Sequence, residues 1–481
     1  MKNDTKTFSY QARCPLENEA NKILSSYGEL YASVQHHLFK DYSKGLDIVS
    51  LKSAYLIQFG LTARQFNGCR IALEGKIESI KQIRISQIAN LKEKVASLTK
   101  KLPKIKDKKI KHQKSRSLHA MRLQLQSLEK EHKEGSCSMC FGSKKLFHEQ
   151  FFLEENGYSS LKEWKEDWKQ ARSSEIFCIG SKDETAGNQS CVLSFDLLGK
   201  ATLRLRLPNA LTTKYNKKYL LIENIAFKYG HEQIQQALLE KKALSYRFKK
   251  DEKGWRVFIS FAQERAVVVT QENRGAIGID INVNHIALVE TDAKGNPIYK
   301  ESIPLSTYGK TKNQSKALIF DACKKIVALA KEKQKPLIGE RLDFTKKKST
   351  LKETDPKYAR MLSSFHYSQV LQGLDAKSFR EGVGFFQVNP AMTSVIGKIK
   401  FAVRYGLTTH QAAALCIARR RYRFSEAPSK SPMKMVHKNA LVTCPLPERN
   451  REQHVWVFWK QLTRKLKAVL AAHRRASLCP S

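Results

Sequence analysis

The chain has 481 residues, and its 86 Lys and Arg against 45 Asp and Glu give a formal net charge of +41. That length accommodates two to four domains, and such a charge repels itself unless a polyanion neutralises it; nucleic acid is the obvious one, and a generically basic factor is the composition's other reading. No segment approaches the roughly 20 apolar residues of a membrane span and MKNDTKTFSY lacks a secretory apolar run, so the expectation is a cytoplasmic protein, nucleoid-associated when bound to DNA, with no membrane partner.

Residues 6–12 alternate as a short strand does, and 16–135 read as a helical block with little Pro or Gly in its second half. Ile77, Ile80, Ile88, Leu91, Val95 and Leu98 recur at helical spacings. Pro103 interrupts them, and Leu118, Met121, Leu125 and Leu128 resume, which predicts a long helical hairpin. Its turn, KKLPKIKDKKIKHQKSR, is either a phosphate-contacting segment or a solvated charged loop. Residues 136–190 are polar and irregular, with Trp164 and Trp168 at helical spacing, read as a core anchor in preference to a base-stacking site.

The ten cysteines are dispersed, which favours thiols over a disulfide framework. Cys137 and Cys140 with Cys178 and Cys191 would supply four thiolates, but their spacing is irregular, and zinc is not expected. From 191 to 272 the period changes to two. VLSFDLLGKATLRLRLP and ALSYRFKKDEKGWRVFISFA predict two β-hairpins on one sheet or small barrel, with Arg204 and Arg206 sharing a face.

GAIGIDINVNHIALVETDAKGNPI begins as a buried apolar strand that carries Asp280, with Asn282 and Asn284 on the same face, and reaches a hairpin signal at Lys294-Gly295-Asn296. A carboxylate inside such a strand costs several kcal/mol unless a cation or metal compensates it; the bland alternative is an edge strand whose polar face meets water. A second strand, KPLIGERLDF, carries Glu340 between apolar runs that continue at Leu342 and Phe344. The helical stretch ALIFDACKKIVALAKEKQ separates the two. A strand with Asp, a hairpin, a helix and a strand with Glu follow one another in the order of an RNase H-like fold. Two carboxylates on neighbouring strands suit Mg²⁺ or Mn²⁺, as a two-ion site for phosphodiester cleavage.

Over 275 to about 425 these motifs, with VNPAMTS (388–394), resemble the RuvC nuclease domain of TnpB, the transposon-encoded relatives of type V CRISPR effectors. The resemblance implies an α+β multidomain protein: an N-terminal wedge strand (1–15), a helical recognition domain (16–135), an irregular connection (136–190), a β-rich wedge (191–272) and an RNase H-like (RuvC) α/β nuclease domain ending in a basic helix (273–481). It implies that Asp280 and Glu340 are metal ligands. The family's third motif opens a helix with Asp, whereas this chain has His410 in HQAAALCI. The third group is then His410, or Glu426 reaching in from beyond the helix, or the site is nuclease-dead. A second departure is that TSVIGKIKFAVRYGL holds none of the cysteines of the family's zinc knuckle.

The function so implied is an RNA-guided DNA endonuclease with guide RNA and target DNA as partners, in which guide pairing reads the sequence and the protein reads backbone shape. The alternatives are a nuclease-dead RNA-guided DNA-binding protein and a DNA transposase of the RNase H-like superfamily.

Overall fold

Period-two burial runs through the first strand, β1 (Thr5–Arg13), where Phe8, Tyr10 and Ala12 turn inward and their neighbours turn out. The structure, a computed structural model, describes residues 4–196, 199–341, 367–424, 426–427, 433–437, 440–444, 446–450 and 452–476. It divides into two units, Asp4–Glu264 and the residues from Arg265 onward. The helical and β-rich regions read separately in the sequence thus share the first unit.

In that unit α1 (Asn18–Ser43), α2 (Lys52–Phe59), α3 (Ala63–Lys101) and α4 (Lys108–Lys133) follow β1. The 39 residues of α3 make a rod about 58 Å long, and α4 returns along it. Leu91 and Leu118 are buried in this hairpin, while most of α4 is exposed. The break between the helices is shorter than expected. Asp107 caps α4 by accepting from the amides of Lys109 (2.8 Å) and Ile110 (3.1 Å), so the lysines from 108 onward lie on helix rather than in the turn.

The region read as irregular carries α5 (Lys144–Glu149), α6 (Leu161–Arg172) and β2 (Glu175–Cys178). After it come β3 (Cys191–Phe195), β4 (Ala201–Arg206), α7 (Asn209–Tyr215), β5 (Tyr219–Ile225), α8 (His231–Leu239), β6 (Ser245–Asp251) and β7 (Gly254–Glu264). The two hairpins do form, but in separate sheets: β3-β4-β5, and β1-β7-β6-β2. The reason is pairing at long range. β7 is long enough to pair with β1 along its whole length, Thr5 to Glu264 through Arg13 to Arg256, and β2 covers the free edge of β6. On β4, Arg204 and Arg206 point away from the buried Leu203 and Leu205, and Arg204 lies over the Tyr219 ring at 4.9 Å.

The second unit is built on β8 (Ile277–Ile281), β9 (His285–Thr291), β10 (Pro297–Pro304), α9 (Lys312–Lys333), β11 (Leu337–Glu340), α10 (Tyr367–Glu381) and β12 (Phe385–Val388). Its sheet has the order β10-β9-β8-β11-β12, antiparallel across β10, β9 and β8 and parallel across β8, β11 and β12. A short helical run, 393–405, with a π-helical turn at Gly397–Ala402, leads into α11 (Thr409–Arg421). Beyond lie the hairpin β13 (Met433–His437) and β14 (Ala440–Cys444), then α12 (Val455–Ala476).

Alternation along the central strands divides the core between the two faces of this sheet. Ile277, Ile279 and Leu337 pack with Ile319, Ile326 and Val327 of α9 and with Val370 and Leu374 of α10. Ala276 and Ile338 face the other way, onto Ile417 and Ala418 of α11. Behind α11, Trp459 and Leu462 of α12 complete the packing. Among the described residues no helix is long and apolar enough to cross a membrane.

Candidate active site

Small residues bring α11 unusually close to β8. A Cβ added at Gly278 would meet the Ala414 carbonyl oxygen at 1.9 Å, so the strand accepts this helix only because position 278 has no side chain. Strand and helix then run in step. Ala276 packs with Ala418 and Gly278 abuts Ala414, so advancing two strand residues (about 6.6 Å) and going back four helix residues (about 6.0 Å) leads to Asp280 and His410. Thr408 and Gln411 cap the helix reciprocally, at 3.2 and 3.1 Å, and fix its first turn at that point.

Asp280 is 7% exposed. Its Oδ2 accepts from Asn282 Nδ2 at 2.9 Å and lies 3.0 Å from His410 Nδ1. An ionised carboxylate only accepts, so with Asp280 ionised the His410 proton sits on Nδ1 and, in the neutral ring, Nε2 keeps its lone pair. The strand ends at Ile281. Asn282 and Asn284 make the turn to β9, with the Asn282 amide donating to the His285 carbonyl at 2.9 Å, so the polar face expected to continue along the strand is a tight turn.

Glu340 reaches the same face from the neighbouring strand. The parallel register pairs Leu337 with Ile277 and Ile338 with Gly278, and two more residues along each strand are Glu340 and Asp280. Pairing ends at Ile338 and Gly278, so the carboxylates stand past the paired segment, at the carboxyl ends of two parallel strands, where open α/β sheets bind ligands. Thr393 Oγ1 donates to Glu340 Oε1 at 2.6 Å, and the Tyr367 hydroxyl donates to the Glu340 carbonyl at 2.9 Å. Burial pushes the Tyr367 hydroxyl well above the usual phenol range, and the Glu340 and Asp280 carboxylates push it in the same direction.

Two of these neighbours escaped the sequence reading. His285 packs edge-on against His410, ring centres 4.9 Å apart; burial and then the His410 charge lower its pKa, while Asp280 opposes them. The only sequence signal for His285 was its position directly after the Asn-rich turn. Tyr367 carried none, because it belongs to none of the motifs; the Leu342 and Phe344 of the second motif lie outside the described residues.

Glu426 is not brought to this site. Arg420 Nε donates to its Oε1 at 2.7 Å and Trp456 Nε1 donates to its Oε2 at 3.3 Å. The 13 residues of α11 run about 20 Å, which carries the chain from His410 at one end to Glu426 beyond the other. Of the four expected carboxylate and imidazole groups, the structure joins Asp280 with His410 and sets Glu340 on the adjacent parallel strand.

As for metals, among the described residues no three His, Cys, Asp or Glu side chains converge closely enough to hold an ion by themselves. The donor chemistry at Asp280 and Glu340 is nonetheless that of a hard ion, since Mg²⁺ is commonly held by one or two carboxylates together with substrate phosphates. The cysteines divide differently from a tetrathiolate. Cys178 and Cys191 are core thiols pushed up by burial, Cys178 to about 12, whereas Cys137 and Cys140 lie half-buried in the loop before α5.

No protein-family model matches the chain, and no curated protein does. Among solved structures, the chain is similar to a Cas12f1–sgRNA–target DNA complex at 13% identity, covering 86% of this chain and 99% of that one with a TM-score of 0.37. It is also similar to T. thermophilus RuvC in complex with a Holliday junction substrate, at 15% identity over 30% of this chain and 88% of that one, with a TM-score of 0.22. A CRISPR–Cas12f ternary complex is matched at 11% identity over 86% and 98% of the two chains, with a TM-score of 0.20.

Proposed function

We propose that the chain is an RNA-guided DNA endonuclease of the TnpB type, with an RNase H-like catalytic unit that cleaves phosphodiester bonds. The observation that carries this reading is the placement of Asp280 and Glu340 in matching positions on adjacent parallel strands, on one face of the sheet, with His410 at the N-terminal end of the covering helix. Asp280 and Glu340 would hold Mg²⁺ or Mn²⁺, with His410 as a third, neutral ligand. Bound there, such ions supply an activated water and stabilise the leaving 3′-oxygen.

Around them the chain does the positioning. Thr393 holds one oxygen of Glu340, Asn282 holds one of Asp280, and the buried sheet keeps both carboxylates from swinging away. The charge of +41 supports guide RNA and target DNA as the polyanions that accompany the protein.

The test is to purify the chain with co-expressed RNA from its locus and assay cleavage of matched DNA in Mg²⁺ and in Mn²⁺. Asp280→Ala and Glu340→Ala are expected to abolish cutting and to spare RNA binding. Undiminished cutting by both variants sinks the assignment. A second reading, a nuclease-dead RNA-guided DNA-binding protein, draws on the His410 hydrogen bond that occupies Asp280 Oδ2. It predicts tight binding of matched DNA that stays intact in both metals.

A further inference from the structure

In the first unit a cavity of about 900 Å³ opens between the C-terminal half of α1, the loop before α5, α5 itself and Trp168 of α6. Its walls are rings. His36 lies against Phe141 with centres 4.0 Å apart, Phe39 meets Phe141 edge-on at 5.7 Å, and Phe147 meets Trp168 at 5.7 Å. Trp168 is backed by the buried Trp164, stacked at 5.7 Å and 13°, so the ring on the wall is held rigidly. This separates the two tryptophans of α6: Trp164 serves the core, and Trp168 serves the cavity.

Three lysines, Lys40, Lys44 and Lys144, also line the space, and no carboxylate does. Lys44 lies 3.8 Å from Asp41, and a purely apolar occupant would satisfy the rings while giving Lys40 and Lys144 no anion to meet. A planar aromatic ring attached to phosphates matches both. The His36 ring is packed on Phe141 with its Nε2 buried and without a hydrogen-bond partner, so it belongs to the aromatic wall.

We propose that this cavity receives an unpaired nucleobase of a single-stranded nucleic acid, stacked on the Phe147 and Phe141 rings with its flanking phosphates on Lys40, Lys44 and Lys144. Stacking platforms beside a cationic groove are how proteins hold single strands without reading their sequence. The inference rests on the nucleic-acid reading above but uses none of the residues of the candidate active site. The same chemistry is found in RNA and DNA, and the experiment separates them.

The full chain, stripped of co-purifying nucleic acid in high salt, is titrated with short fluorescent single strands, ribo and deoxyribo, and with the duplex of the same sequence, over a range of salt. Phe147 is 40% exposed, so its replacement spares the core. Phe147→Ala and Phe147→Leu are expected to weaken single-strand binding about tenfold with the salt slope unchanged and duplex binding unaffected, while Phe147→Trp retains it. Lys40→Ala with Lys144→Ala is expected to lower the single-strand salt slope by about 0.7 per lysine. The sugar type that shows the loss identifies the strand.

Photocrosslinking of a single strand carrying 4-thiouracil, followed by peptide mapping, is expected to mark the 139–148 segment or Trp168. Equal losses on single strand and duplex, no loss in either sugar series, a full retention by Phe147→Leu, or adducts only elsewhere overturns the proposal. These binding assays do not depend on cleavage. If Asp280→Ala and Glu340→Ala leave cutting unchanged while the Phe147 effect stands, the assignment of cutting to these carboxylates alone falls.

Discussion

His410 Nδ1 and Asp280 Oδ2 lie 3.0 Å apart although 130 residues separate them in the chain, and the contact joins the first strand of the second unit to the start of the helix that covers it. This hydrogen bond sets the ring so that a neutral His410 with its proton on Nδ1 presents Nε2 as an acceptor.

His410→Ala is expected to lower metal-dependent cleavage by about 10- to 100-fold, the usual cost of losing a group that orients or completes a metal site. His410→Asp supplies a charged oxygen donor and is expected to improve use of Mg²⁺ relative to Mn²⁺. Cleavage rates in each metal decide it; identical rates for all three proteins remove His410 from the site.

Gly278 seats the helix that carries His410. A Cβ there overlaps the Ala414 carbonyl, a backbone atom that cannot turn aside, so Gly278→Ala is expected to destabilise the second unit by about 1–3 kcal/mol and to displace His410 from Asp280. Denaturant midpoints together with cleavage rates test this. A variant as stable as the parent contradicts the packing account.

Thr393 holds Glu340 through one 2.6 Å hydrogen bond, which makes it a positioning residue. Thr393→Val keeps the shape and loses the hydroxyl, and is expected to raise the metal concentration needed for half-maximal cleavage by about tenfold. Thr393→Ser keeps the hydroxyl and is expected to restore it. If Val and Ser variants behave alike, the hydroxyl has no such role.

Glu381 shows a stability effect that depends on pH. Hydrogen bonds from Lys331 of α9 and from Lys377 of α10, both 2.8 Å, lower its pKa to about 2. A depressed carboxylate contributes stability above its ordinary value near 4.5 and loses it as pH falls toward 2. Because the pair is partly solvated, the contribution is expected to stay below about 1 kcal/mol at neutral pH. The urea midpoints of the parent and Glu381→Gln should therefore differ slightly at pH 7 and converge below pH 4.5. A gap that persists into acid excludes this ion pair as its source.

What the sequence determined by itself was local. A carboxylate in the middle of IGIDI and another in LIGE announce themselves because burying charge is costly, and the helical hairpin and the paired strands follow from periodicity within a few residues. The order strand, hairpin, helix, strand was legible for the same reason. The tertiary structure decided which residues meet: that His410 and not Glu426 reaches Asp280, that Thr393 and Tyr367 hold Glu340, that His285 joins the group, and that the two hairpins belong to different sheets. Each of these depends on how closely one backbone approaches another. That distance is set at positions such as Gly278 and Ala414, far apart in the chain, where a missing side chain leaves no periodic trace to read.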